Sequence, residues 1–271
     1  MIALIETPKQ KVGGILDEPV SASRLNLFHS CRLKFFFRYV EKISKPTSPA
    51  LHVGKSVHHS LQEWSNRRWR GEAVTSENLR ESFDGWWAGS QEHDQAVSWE
   101  DGADEETERQ KAWNLVNHYL QETPIPPDEK PLAVEVSVEC DLGSHGLPVL
   151  RGVIDLIRPG GLIVDFKTSA TTPSAAHVLH RNETQLTCYA ELYREATGER
   201  EKGFELHHLI KTKVPKLIVT THKAVTEKQR SRLFRSIESF MQGVEREDYV
   251  PSPGLQCSSC EYFQECRGGA L

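Results

Sequence analysis

Apolar positions along the chain change their spacing near residue 130, from helical intervals to strand-like alternation. Ser21-Ala22-Ser23 offers side chains that cap helix N-termini. After it, Leu25, Leu27, Phe28, Leu33, Phe36, Phe37 and Val40 present a broad apolar face, which predicts a helix over about 21–40. Pro46 and Pro49 end it. A second helix is expected from about Ala50 to Arg70, stopped at Gly71, with two more near 76–91 and 104–122. Residues 1–20 hold Pro8, Gly13, Gly14 and Pro19 and read as an arm or a short strand pair. Pro124, Pro126 and Pro127 mark a linker.

Beyond the linker, Leu132 to Glu139 alternates apolar and polar residues like a strand. Residues 149–157 and 162–167 read as two more strands, and Pro159-Gly160-Gly161 between them predicts a hairpin. A helix is expected at about 183–196, then strands around 203–211 and 216–222. Thr226-Glu227-Lys228-Gln229 reads as a capping box opening a last helix, with Leu233, Phe234, Ile237, Phe240, Met241 and Val244 on its apolar face. The order β-β-β-α-β-β-α suggests a mixed sheet with helices packed against it.

Composition narrows the class. With 271 residues, the chain can form one large domain or a core with a subdomain. Hydrophobic residues at 38% and charged residues at 26% are an ordinary globular mix. No run of 18 apolar residues exists, so no membrane helix is expected. The first residues, Met1 to Glu6, lack the basic start and apolar stretch of a signal peptide, and a cytoplasmic location is expected. A net charge of -5 argues against a protein that coats nucleic acid non-specifically. Basic clusters at Arg67, Arg68 and Arg70, and at Lys211, Lys213 and Lys216, read first as solvated faces, with the arginines as plausible phosphate contacts. The acidic run from Glu100 to Glu108 is expected on the outer surface.

The chemistry centres on Gly152-x-x-Asp155, nine residues, then Asp165-Phe166-Lys167. Asp165 and Lys167 are two apart on one strand and share a face. Two convergent carboxylates can bind a hard cation such as Mg²⁺ or Mn²⁺. Such an ion polarises a phosphate and acidifies a bound water, and a neighbouring lysine stabilises the growing charge. The plainer alternative makes Asp155 and Asp165 turn residues. Both, however, lie inside apolar runs, where an unpaired carboxylate is costly.

This arrangement resembles the PD-(D/E)XK nuclease signature, and its flanks resemble the RecB-like branch to which CRISPR-associated RecB-like exonucleases belong. Gly54-Lys55-Ser56-Val57-His58 is similar to that branch's Gly-x-x-x-His helix, and Gln185-Leu186-Thr187-Cys188-Tyr189 to its Gln-x-x-x-Tyr motif. The resemblance covers roughly residues 21 to 266. It implies a restriction-endonuclease-like α/β core: a mixed sheet flanked by helices, with an N-terminal helical part and a C-terminal cysteine cluster. The corresponding division is 1–127, 128–246 and 247–271. It further implies that His58, Asp155, Asp165 and the Phe166 carbonyl hold Mg²⁺ or Mn²⁺, that Lys167 positions water, and that Gln185 and Tyr189 complete the catalytic set. Tyr189 is also a candidate for stacking on unpaired bases. The expected activity is exonucleolytic cleavage of DNA, single-stranded and from an end. No Walker-type motif is present, so this chain does not read as a helicase itself; it either acts alone or joins a helicase or a CRISPR adaptation protein. A catalytically silent DNA-binding or scaffolding subunit is the alternative, against which the intact Asp155, Asp165 and Lys167 argue.

Six cysteines are present, and three of them, Cys257, Cys260 and Cys266, crowd the C-terminus. With Cys31 as a fourth ligand they suit zinc or an iron–sulfur cluster, and spacing does not choose between these. A zinc-stabilised interaction protein therefore stays open on spacing alone. The family resemblance implies a [4Fe–4S] cluster acting as a structural clasp between the ends of the folded chain. Cys140 and Cys188 read as buried, apolar-like residues.

Overall fold

A computed structural model describes residues 13–93, 97–99 and 104–268. Among these, the long helices are α1 (Ala22–Ser30), α2 (Pro49–Arg70), α3 (Ser76–His93), α4 (Glu105–Glu122), α5 (Ala175–Thr197) and α6 (Glu227–Glu245). The strands are β1 (Ala133–Cys140), β2 (Leu150–Arg158), β3 (Leu162–Ser169), β4 (Gly203–Ile210) and β5 (Lys216–Lys223), in the spatial order β1-β2-β3-β4-β5. β2 and β4 flank β3, antiparallel and parallel respectively, and β5 runs antiparallel to β4. This is the mixed sheet with flanking helices that the sequence pattern leads one to expect. No helix among the described residues is long and apolar enough to cross a membrane.

Parallel strands need a long crossover, and α5 supplies it between β3 and β4. It starts well before the expected residue 183. In its first turns Val178 is buried while His177, Leu179, His180 and Arg181 are exposed, so no apolar stripe announces them. The helix expected over 21–40 is also broken. α1 stops at Ser30, Cys31 is extended (φ -161, ψ 108), and a short helical turn follows at Arg32–Phe35, then a π-turn at Phe36–Val40. Cys31 donates to the Leu27 carbonyl at 3.0 Å, and its own carbonyl accepts from Phe35 N at 3.0 Å. The hydrogen-bond ladder therefore survives the break, and so does the apolar spacing. Residues 1–12 of the expected N-terminal arm lie outside the described residues. The described part of it holds a helical turn at Gly13–Leu16 and a parallel bridge from Val20 to Leu150.

The chain divides into two compact units. One comprises the segment through Ser44, Glu139–Arg151 and the segment from Glu227; the other comprises Lys45–Val138 and Gly152–Thr226. In the first, the rings of Phe28, Phe35 and Phe240 meet edge to face with centroids 5.1–5.5 Å apart. In the second, one apolar cluster joins α2, α3 and α4 to the sheet. It includes Val57, Leu61, Phe83, Trp87, Trp113, Val116 and Tyr119 from the helices, and Leu156, Val164, Phe166 and Leu209 from the strands.

α2 is terminated as the sequence suggests. The Ser48 hydroxyl accepts from Leu51 N, Pro49 opens the first turn, and Gly71 closes the helix in the left-handed region (φ 76).

Candidate active site

A cavity of about 890 Å³ opens in the second unit. Residues of α2 and α3 line one wall. Glu135, Asp155, Asp165, Phe166, Lys167, Gln185 and Tyr189 line the other. The β2–β3 register pairs Leu156 with Val164, so one step further along lie Asp155 and Asp165. Asp155 Oδ2 accepts from Phe166 N at 2.9 Å and lies 3.6 Å from His58 Nδ1. Lys167 Nζ lies 2.8 Å from Asp165 Oδ2 and donates to Gln185 Oε1 at 2.7 Å. Gln185 Nε2 donates to Asp165 Oδ1 at 2.9 Å and to the Tyr189 hydroxyl at 2.8 Å, and that hydroxyl donates to Asp165 Oδ1 at 3.3 Å. The orientation of the Gln185 amide is chemically determined. Its oxygen faces an ammonium that can only donate, and its nitrogen faces a carboxylate that accepts.

Two glycines make this convergence sterically possible. A Cβ at Gly54 would stand 3.2 Å from Thr168 Oγ1, so α2 approaches the end of β3 more closely than a larger residue allows. His58, one turn further along α2, thereby reaches Asp155. A Cβ at Gly152 would fall 2.6 Å from Leu192 Cδ1 and 3.7 Å from the Tyr189 ring, so α5 lies directly against β2. Each glycine of the two motifs is explained by close packing rather than by a turn.

Burial sets the electrostatics. Asp155 is pushed well above the usual carboxylate range, first by burial and then by the Asp165 charge. His58 is held below its ordinary value, chiefly by burial, although Asp165 opposes this. The Tyr189 hydroxyl is pushed up, again mainly by burial.

A sequence-family model described as the PD-(D/E)XK nuclease superfamily matches residues 19–267. The chain belongs to that superfamily. The crystal structure of a candidate exonuclease from Eubacterium rectale aligns with a TM-score of 0.62 at 15% identity, covering 100% of this chain and 95% of that one. At that identity the likeness speaks to the fold. A second solved structure, SSO0001, aligns over 92% of this chain and 96% of its own at 14% identity, but its TM-score of 0.38 carries no argument. No curated protein matches the sequence.

Within this PD-(D/E)XK member, the donor set fits a hard cation. Among the described residues, no three His, Cys, Asp or Glu side chains already surround a metal position. The carboxylates have closed on Lys167, Gln185 and the Phe166 amide instead. Even so, Asp165 is only 2% exposed and its Oδ2 accepts no well-directed hydrogen bond. Such an oxygen, beside a second carboxylate disfavoured by its charge, is the chemistry that a divalent ion relieves.

One acidic residue of this wall escapes sequence reasoning. Glu135 lies within β1 yet has φ 47, a left-handed conformation that is strained for a side-chain-bearing residue. It lines the cavity with its side chain exposed, and its charge raises Asp155. In Val134-Glu135-Val136-Ser137-Val138-Glu139 the polar positions look alike, and only the backbone singles out Glu135.

Other expectations change. Tyr189 is 6% exposed and tied by its hydroxyl, so it has no open face for a base. Arg67 is paired with Glu63, Arg70 with Glu63 and Glu72, and Arg68 with the Pro126 and Glu129 carbonyls, so none of the three is held ready for phosphate. Residues 100–103 of the acidic run lie outside the described residues. In the remainder, Asp104 caps α4, Glu105 accepts from Trp87 Nε1, and Glu106 and Glu108 pair with Arg109 and Lys111.

In the first unit, Cys31, Cys257, Cys260 and Cys266 line one cavity of about 200 Å³ with Leu33, Phe37 and Phe263. All four are free thiols. Burial, then the neighbouring Cys31, Cys260 and Cys257, push the Cys266 thiol up. Thiols are the donors that structural zinc and iron–sulfur clusters take, but among the described residues no three of these cysteines stand together around a metal position. Cys140 and Cys188 are buried elsewhere.

Proposed function

We propose that this protein is a Mg²⁺- or Mn²⁺-dependent DNA exonuclease acting on unpaired ends in the cytoplasm, stabilised by a [4Fe–4S] cluster. The convergence of Asp155, Asp165, Lys167 and Gln185 in one hydrogen-bonded group beside His58 carries the reading. Superfamily membership supports phosphodiester hydrolysis, and the exonuclease naming of the structural neighbour supports attack from an end. His58, Asp155, Asp165 and the Phe166 carbonyl would hold the ion. When bound, it supplies Lewis-acid polarisation of the phosphate and acidification of water.

The chain's own groups do the rest. Lys167 directs its ammonium to the attacked phosphate or to the attacking water, where negative charge builds. Gln185 orients Lys167 through its amide oxygen while its amide nitrogen steadies Asp165. Tyr189 closes the group from behind. The cysteines at Cys31, Cys257, Cys260 and Cys266 would hold the cluster as a clasp within the first unit. A helicase or a CRISPR adaptation protein is a partner compatible with this reading, as is action alone.

The test is incubation of anaerobically purified protein with end-labelled linear and circular single-stranded DNA and Mn²⁺, beside Lys167→Ala. Stepwise shortening of the linear substrate alone, lost in the variant, is the expected result. Cutting of the circle rules out exonucleolysis. Equal cutting by the variant removes Lys167 from the chemistry. A brown protein is expected; a colourless, zinc-containing one rules out the iron–sulfur cluster.

A further inference from the structure

The proposed chemistry uses the sheet-side wall of the cavity. The same cavity is also lined by Leu51, His59, Gly85, Trp86 and Gly89 of the helices. The His59 and Trp86 rings stack with centroids 5.7 Å apart and planes inclined by 22°, and both are half-buried at the cavity wall. Trp86 is anchored from the core side, packed against the apolar cluster and with the buried His52 ring 5.3 Å away. Leu51 adds an apolar rim that is 51% exposed.

Two glycines leave room in front of this pair. Gly85 and Gly89 are four apart on α3 and share a face. Glycine inside a helix weakens it, so a packing demand is the usual justification. Here a Cβ at either position would meet nothing within 4 Å. The space these residues leave belongs to the cavity. The same cavity is lined by Asp165, 2% exposed and ion-paired to Lys167 at 2.8 Å. One cavity is therefore lined both by the acidic group and by a stacked aromatic pair.

We propose that His59 and Trp86 form a base-stacking platform that admits an unpaired nucleic-acid strand without regard to sequence and holds it in the cavity that the acidic group lines. Its role in cleavage, though not in binding, rests on the nuclease reading above. Paired bases are stacked on one another and show only their edges in the grooves. Unpaired bases offer their faces, and every base has one. At about 890 Å³ the cavity falls within the roughly 300–1,000 Å³ of small-ligand sites, room for a strand end. Arg67, Arg68 and Arg70 do not line the cavity, whereas Lys55 and Lys167 do, so stacking is a grip on the bases in addition to any cationic contact with the phosphates.

The full-length chain carrying Lys167→Ala, which suppresses turnover, is titrated by fluorescence anisotropy. The probes are a labelled oligothymidylate, an abasic strand of the same length, and a blunt duplex. The platform requires the oligothymidylate to bind more tightly than the abasic strand or the duplex. Adding Trp86→Ala should weaken oligothymidylate binding roughly tenfold and leave the abasic strand unchanged. Trp86→Phe should keep most of the affinity. Gly89→Leu should melt no lower than its parent yet bind the oligothymidylate more weakly. Equal loss on both single strands, no loss on either, or no preference for bases in the parent overturns the platform. Cleavage is scored separately with Lys167 intact. Base-dependent binding without cleavage refutes the nuclease reading and leaves the platform standing.

Discussion

The Cβ that Gly152 lacks would fall 2.6 Å from Leu192 Cδ1, so the strand bearing Asp155 and the helix bearing Gln185 and Tyr189 are in direct contact. Gly152→Ala forces these elements apart or Leu192 out of its rotamer. Overpacking of this kind costs about 1–3 kcal/mol. A thermal melt should show a lower midpoint, and DNA cleavage should fall further than the loss of folded protein explains.

Gln185 holds Lys167 and Asp165 at once. Gln185→Ala should reduce kcat roughly 10–100-fold, the usual effect of removing a group that orients a metal ligand. Gln185→Glu should be worse, because it places a third negative charge beside Asp165. Steady-state kinetics on one oligonucleotide at saturating Mn²⁺ checks both, and equal activity of Gln185→Glu and the wild type would remove Gln185 from the site.

Behind Phe166, Tyr119 and Glu205 bracket a fully buried histidine. Tyr119 Oη and His207 Nδ1 are 2.9 Å apart, His207 Nε2 and Glu205 Oε2 are 3.1 Å apart, and Arg158 donates to Glu205 at 2.8 Å. The His207 hydrogen bond is the largest influence on Glu205 and holds it below its usual value of 4.5; the Arg158 charge adds to this against the opposing cost of burial. A depressed carboxylate contributes stability above its unfolded pKa and loses it as pH falls through the folded value. Glu205→Gln should therefore melt lower than wild type at pH 7, and the gap should narrow on acidification below about 4.5. A gap independent of pH would assign the loss to packing.

Cys260→Ser should abolish the brown colour and lower the melting midpoint by more than about 5 °C, since ligation energy is folding energy. An unchanged midpoint would show that the cysteine cavity is not a structural clasp.

The sheet was legible because alternation and a Pro-Gly-Gly turn report strands and hairpins directly. The metal-type carboxylates stood out because each interrupts an apolar run. What stayed hidden has a common cause: pattern reports burial but not backbone shape or ring placement. The apolar spacing from Leu25 to Val40 continues through the break at Cys31. Trp86 sits one residue from buried Trp87 and three from buried Phe83, and nothing in the spacing separates the platform ring from the core. The arginine cluster reads as a solvated face with plausible phosphate contacts, and the hold on Arg68 was invisible because its partners, the Pro126 and Glu129 carbonyls, lie far along the chain.

Asp155, Asp165, Lys167, Gln185 and Tyr189 all come from one uninterrupted run, a hairpin and the helix that follows it. His58 and Trp86 arrive from far upstream. Contacts close in sequence form before distant ones, because closing a long loop is entropically slow. The hairpin and its following helix can bring the carboxylates together by local contacts alone, whereas the cavity exists only once the distant α2 and α3 have docked on the sheet, so its shape is set by long-range packing that local sequence does not encode.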